Sequence, residues 1–391
     1  MKEKQSAQAL FELTTDHLET GLRGVPVGYC PTSLVHPEKG LFYRGYSIVD
    51  LVTKPPEAVI YLILNGELPT ERELSVFKES LCENAHASKD ILKTLQSYPK
   101  HIHPTKLFIA ALTLVGAYDI KKDLRESGTQ LIARITELTA WVYRVLNNWG
   151  PVNESKPELG YIENFVHMLA PPGVDIAKLT SYMKYFLILH LDHGGGNLST
   201  FVGKVVASAH SDLSESLVAA MAGLAGPLHG KANQESLKFL KEAATHISDP
   251  DDEAQVEAFI RQKIAHKEKI FGFGHAVLRT EDLRATVQYD LGDKLCPSDP
   301  TFRLAKTFRK VGPGVLSEFK KISNPYPNVD AVSGCLLSAL GLSDENYYTV
   351  LFGMARCIGI TAQIFYDRLI ARGGRGTPIV RPKYLYNGPV R

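Results

Sequence analysis

Three short segments, spread over about a hundred residues, each set one acid–base side chain beside glycine or proline. They are Gly226-Pro-Leu-His229-Gly230, Gly272-Phe-Gly274-His275 and Pro327-Asn-Val-Asp330. Two imidazoles and a carboxylate suffice to take a proton from a weakly acidic carbon while polarising two carbonyls. Gly and Pro let the backbone leave regular structure and aim a side chain into a cleft. Each segment alone reads equally well as a helix cap or a turn, and spacing leaves open whether the three meet.

Other candidates surround them. His190-Leu-Asp192-His193-Gly194-Gly-Gly-Asn197 puts two imidazoles at i and i+3 with a carboxylate between. The spacing matches no zinc pattern and Gly194 stops the helix at once, so anchoring a substrate carboxylate or orienting a catalytic group fits better than a metal. No metal is expected. A P-loop ending at Gly230-Lys231 would need Gly at 225 and Ser or Thr at 232, where Ala225 and Ala232 stand. A dinucleotide fingerprint from Gly272 would need Gly at 277, where Val277 stands, and no strand precedes it. The C-terminal third is rich in arginine: Arg279, Arg284, Arg356, Arg368, Arg372, Arg375, Arg381. Arg356 interrupts the apolar run 351–359, and a buried arginine needs an anion. Arg284 follows His275 by nine residues, and arginines forked around a dicarboxylate would bind it bidentately.

The elements that must position these groups are helical. Residues 26–47 are the one convincing β region, a small hairpin with Val25-Pro-Val-Gly28 and Gly40-Leu-Phe-Tyr43 flanking the turn at 36–40. Helical periodicity occupies 56–65, 71–84, 105–119, 129–147, 160–170, 175–190, 197–210 and 213–225. It returns at 233–247, 253–266, 280–292, 299–310, 331–340 and 344–371. Strands do not alternate with these helices, so the expected class is all-α. Composition shifts near Gly230 and Gly341, which suggests a large domain of residues 1–230 and 342–391 and a small one of 231–341. His229 would then lie at a hinge, and a cleft closing on substrate follows.

Bulk properties set the outer bounds. The 391 residues are 44% hydrophobic and 22% charged, an ordinary globular composition. A formal charge of +2 gives no nucleic-acid footprint. Five scattered cysteines without a CxxC pair fit a reducing cytoplasm. No apolar run is expected to reach membrane-spanning length, because Lys184 interrupts the best candidate. The start, Met1-Lys-Glu-Lys-Gln5, is unlike a signal or transit peptide.

Seven segments then occur in a familiar order. They are Arg44-Gly-Tyr-Ser-Ile48, His190-x-x-His193-Gly-Gly-Gly-Asn197, Gly223-Leu-Ala-Gly-Pro-Leu-His-Gly230 with Ala232-Asn-Gln234, and Gly272-Phe-Gly-His-Ala-Val-Leu-Arg279. Pro327-Asn-Val-Asp330-Ala-x-Ser-Gly334, Asn346-Tyr-Tyr-Thr-Val-Leu-Phe-Gly353 and Arg381-Pro-Lys383 complete them. Together they resemble the citrate synthase family from about residue 20 onward. The resemblance implies an all-α, two-lobed fold and condensation of acetyl-CoA with oxaloacetate, followed by hydrolysis of citryl-CoA. His229 would bind the thioester oxygen, Asp330 would take the methyl proton and His275 would polarise the ketone. His193, Arg284 and Arg356 would hold oxaloacetate, with Arg381 arriving from the second subunit of a homodimer. Arg279, Lys269, Ile270, Gly272, Phe273, Gly274 and Asn328 would face coenzyme A, itself a substrate, so that no cofactor is implied.

The chain departs from the family pattern in places. Ala331-Val332-Ser333 follows the catalytic Asp where many bacterial relatives carry Phe-Tyr-Ser, and Leu283 replaces the Pro that usually precedes the substrate Arg. Acyl preference therefore stays open between acetyl-CoA and the propionyl-CoA of a 2-methylcitrate synthase. The chain starts close to its hairpin, so inhibition by NADH as in the long bacterial form is not expected. A non-catalytic helical protein and a metal-dependent hydrolase using His190, Asp192 and His193 are the readings from other classes. Release of CoA thiol, or stoichiometric zinc, would separate them.

Overall fold

The computed structural model describes residues 9–119 and 123–389; the polar start at residues 1–5 lies outside them. Sixteen α-helices and one small sheet occur among the described residues. The sheet is an antiparallel meander of β1 (Ser33–His36), β2 (Gly40–Tyr43) and β3 (Tyr46–Ser47), with His36 opposite Gly40. The first strand thus begins at Ser33, and Val25–Gly28 belongs to no strand. Pro26 and Pro31 carry no N–H for a ladder, so pairing starts only past them.

The first ten helices are α1 (Ile48–Leu51), α2 (Pro56–Asn65), α3 (Glu71–Glu83), α4 (Lys89–Gln96), α5 (Pro104–Asp119), α6 (Leu124–Asn147), α7 (Tyr161–Leu169), α8 (Ile176–His190), α9 (Leu198–Ala207) and α10 (Leu213–Leu224). Five more follow: α11 (Ala232–His246), α12 (Glu253–Ala265), α13 (Leu283–Leu295), α14 (Pro300–Ser317) and α15 (Asp330–Ala339). The last is α16 (Tyr348–Phe365). Their starts are chemically marked. Asp123, Asp175, Asp212, Asp252, Asp282 and Asp299 each accept a first-turn N–H, and α2 stops at Gly66 with φ 104°.

Three helices depart from the periodicity reading. The short α1 and α4 fall where the sequence indicated none. Helix α14 runs on through Gly312-Pro313-Gly314 to Ser317, past the expected end at 310. Proline inside a helix costs about 3 kcal/mol. Val315 and Leu316 are buried beyond it, and about 1.5–3 kcal/mol for each such side chain offsets that cost.

Helix α16 is the hub of the core. All its residues except Phe352 are buried, and α2, α5, α6, α8, α9 and α10 pack around it. The segment Glu345–Ile370 is long and apolar enough to cross a membrane, contrary to the sequence expectation, but 94% of its apolar 18-residue window is buried inside the protein. Helices α11, α12, α14 and α15 pack mainly on one another, and α13 packs on α15 at their border with the rest. They meet the rest where α13 touches α1, α8 and β2, and where α11 touches α16. The hairpin tip belongs to that contact: Pro37 accepts the Arg279 N–H at 2.8 Å, and Leu283 lies against Gly40.

Candidate active site

His229 sits in a tight turn after α10. Its N–H donates to Gly226 at 3.0 Å and the Gly230 N–H donates back to Leu224 at 3.0 Å. A Cβ on Gly230 would stand 2.1 Å from the Leu224 carbonyl oxygen, so only glycine closes this turn. The ring reaches the N-terminus of α9 beside its Asn197 cap, where Ser199 donates its backbone N–H to His229 Nε2 at 3.2 Å. An acceptor Nε2 puts the proton of the neutral ring on Nδ1. Burial and then the charge of Arg356 push the pKa down to about 4, so the ring is neutral at pH 7.

His275 has the opposite tautomer. Its Nδ1 accepts the N–H groups of Val277 and Leu278, both at 3.0 Å, which leaves Nε2 carrying the proton. Burial and the charge of Arg284 hold its pKa at about 4. The His193 ring crosses it edge-on at 5.2 Å between centroids. His193 Nε2 is buried without a hydrogen-bond partner, and burial, Arg284 and Arg356 keep the ring far below its ordinary pKa. Such a nitrogen is an open hydrogen-bonding position for a ligand.

Asp330 opens α15, half-buried at the inner end of a cavity of about 1030 Å³. Burial pushes its pKa up to about 6 against the pull of Arg284. It is therefore a base that is largely ionised at pH 7 yet strong enough to hold a proton. The His275 and Asp330 loops are joined by one isolated antiparallel bridge. Gly274 donates to Tyr326 at 3.0 Å, Asn328 donates to Gly272 at 2.9 Å, and Phe273 bridges Pro327. Gly272, at φ +82°, lies so close to Ala331 that a Cβ would come within 2.8 Å of its Cα.

Two buried arginines complete the cleft. Arg284, on the first turn of α13, is held by Asp282 through Nε and Nη2, the latter at 2.7 Å. Burial opposes that charge, but Asp282 keeps its pKa above the ordinary value. Arg356, on α16, donates Nε to the His190 carbonyl at 3.2 Å and lies 4.7 Å over the Phe352 ring. Among the described residues no carboxylate makes a salt bridge with Arg356, and burial lowers its pKa. A desolvated cation without a counter-ion is a seat for a ligand carboxylate. Both arginines act on His193 and Asp330, Arg356 on His229 and Arg284 on His275.

The remaining sequence candidates fall in three places. Lys269, Ile270, Gly272, Phe273, Gly274 and Asn328 line the cavity beneath Asp330. Arg279 is exposed and folds its guanidinium back onto the carbonyls of Val277 and Leu278. Arg381 is exposed in a separate groove with Tyr29, Lys204 and Val380 and makes no contact with the trio within this chain. Asp192 has no metal-ligand role here: its carboxylate accepts from Thr32, Ser33, Gln363 and the His193 N–H. Among the described residues, no group of three or more His, Cys, Asp or Glu side chains is placed to hold a metal ion.

Sequence reasoning passed over Asp282, Ser199, and the lysines at 267, 320 and 321 that join Lys269 around the cavity. Asp282 could have been found as an N-cap two residues before Arg284. Ser199 meets His229 Nε2 with both its backbone N–H, at 3.2 Å, and its hydroxyl, at 3.0 Å, but a lone serine near a helix start carries no sequence signal.

A helical frame with two oppositely tautomeric neutral imidazoles, a carboxyl base and buried arginines defines an all-α acyl-transferring condensing enzyme. Comparison with known proteins gives the same answer. The family model described as citrate synthase, C-terminal domain, matches residues 21–383. The chain is 34% identical to the mitochondrial citrate synthase of Daucus carota over 98% of its own length and 84% of that protein. Likeness to the mitochondrial citrate synthase of Xiphias gladius is also 34%, over 98% and 86%. Citrate synthase from Thermotoga maritima superposes with a TM-score of 0.81 at 29% identity, covering 95% and 96% of the two chains. The Thermoplasma acidophilum enzyme, in a ternary complex with carboxymethyl coenzyme A and oxaloacetate, superposes at 0.82 with 28% identity over 97% and 98%. This chain belongs to the citrate synthase family.

Proposed function

We propose that this chain condenses acetyl-CoA with oxaloacetate and hydrolyses the resulting citryl-CoA to citrate and free CoA. The observation that carries the reading is the pair of imidazoles, each with one ring nitrogen occupied by backbone N–H groups, so that each presents a single N–H as donor. His229 Nδ1–H donates to the thioester oxygen while the Asp330 carboxylate takes a methyl proton, giving the enol. The enol carbon attacks the oxaloacetate ketone, whose oxygen takes a proton from His275 Nε2 as the carbon–carbon bond forms. Water then cleaves the thioester and CoA leaves as the thiol. His193, Arg284 and Arg356 hold the oxaloacetate carboxylates. Lys267, Lys269, Lys320 and Lys321 give the coenzyme A cavity the positive charge its phosphates require. Purified protein should release CoA thiol from acetyl-CoA only when oxaloacetate is present; no thiol would end this reading. A specificity constant higher for propionyl-CoA would reassign it to 2-methylcitrate synthesis.

Three coarser expectations belong to the same proposal. Helices α11–α15 act as the small lobe of residues 231–341, closing to keep water from the thioester. The chain works as a homodimer in which Arg381 of the second subunit completes the oxaloacetate site. Exposed Ile379, Val380, Tyr384 and Leu385 beside it support such a contact. The free state of all five cysteines fits the cytoplasm, although the named plant and fish relatives are mitochondrial. Cell fractionation decides the last point.

A further inference from the structure

The roles above give Asn328 only a place in the wall of the cavity, yet its side chain links the two catalytic loops. Asn328 stands between the His275 loop and the first turn of α15, and every polar atom of its side chain is engaged. Its Oδ1 accepts the backbone N–H of Asp330 at 3.0 Å, and its Nδ2 donates to the Gly274 carbonyl at 2.9 Å. Its own N–H donates to Gly272 and its carbonyl accepts from Ala331 at 3.1 Å. One residue therefore fastens the backbone of the base to the backbone immediately preceding the ketone donor. Buried amides act as rigid two-ended spacers when both ends are satisfied.

We infer that Asn328 is a positioning residue that sets the separation of Asp330 and His275, and that this role is distinct from contact with coenzyme A. The inference rests on the condensing role of those two groups. The geometry explains why the position needs a carboxamide. A carboxylate supplies an acceptor for Asp330 N–H but turns its second oxygen against the Gly274 carbonyl. An alanine frees both ends. A misplacement of about 1 Å in a reacting group costs on the order of 100-fold in rate, and nothing in this role touches ground-state binding of the acyl substrate.

The test compares N328A, N328D and D330N in steady-state turnover of acetyl-CoA with saturating oxaloacetate, with oxaloacetate binding and thermal unfolding measured alongside. N328A should lose about 10- to 100-fold in kcat with KM for acetyl-CoA within twofold of wild type and oxaloacetate still bound. N328D, nearly isosteric, should lower kcat and also move the acid limb of kcat upward in pH, since it sets a second negative charge two residues from the base. If N328A instead raises the acetyl-CoA KM and keeps kcat, Asn328 is a substrate contact and the inference fails. If N328D behaves as wild type in both kcat and pH profile, it fails also, whatever the fold of N328A. D330N separates the two levels: full activity there would overturn the role of Asp330 itself, whereas a dead D330N beside a fully active N328A overturns only the clamp.

Discussion

At pH 7 the cleft holds two imidazole donors that are not cations and a carboxylate that is not buried beyond use. The values for His229 and His275 (about 4) and for Asp330 (about 6) keep all three in working form between roughly pH 6 and neutrality or above. The limiting titration is that of Asp330, which must be ionised to accept a proton. kcat/KM should therefore fall tenfold per pH unit below about 6, and a flat profile down to pH 5 would remove Asp330 as the base. Stability carries the opposite sign. Folding raises this carboxyl from 3.8 to about 6, so the native state loses stability as pH rises through that window. D330N should be more stable than wild type at pH 8, by up to about 3 kcal/mol, with the difference gone below pH 3.8; denaturant titration at both pH values reads it. As three candidates the trio was legible in the sequence, because Gly and Pro flank each member, while spacing left open whether they meet. Their protonation was not, because it depends on Ser199, Val277 and Leu278 backbone N–H groups that any residue would supply.

Helices and loops place those groups through a few close approaches. The first turn of α15 packs on Gly272, and α14 packs on the same loop from the other side, where a Cβ on Gly312 would stand 2.6 Å from the Phe273 ring. G312A should therefore push Phe273 into the coenzyme A cavity. The expected result is a several-fold higher KM for acetyl-CoA and a loss of about 1–3 kcal/mol in stability from overpacking; an unchanged KM would show that the loop yields elsewhere. Most helices were legible from a 3.6-residue period and an N-terminal Asp. The run of α14 through Pro313 was not, since burial of Val315 and Leu316 decides it and local propensity points the other way. The hairpin was displaced for a similar reason, its strands starting only past Pro31.

Across the whole molecule, burial lowers the pKa of five histidines: His190 to about 3, His229 and His275 to about 4, His193 well below its ordinary value, and His103 below it. The unfolded chain takes up these protons from pH 6.5 downward while the folded one refuses them. Stability should fall steeply between pH 6.5 and about 4, outweighing the single gain at Asp330; thermal melts across that range check it. If the site is shared between subunits, R381L should weaken oxaloacetate binding, and mixing it with D330N should restore part of the activity in hybrid dimers. No recovery would place the arginine's role within one chain. The position of α16 has one more consequence. The helix around which α2, α5, α6, α8, α9 and α10 assemble follows all of them in the chain, so a ribosome must extend the chain past residue 365 before the core can close. Early helices wait with apolar faces uncovered, and a truncated nascent chain is an aggregation hazard rather than a partial enzyme.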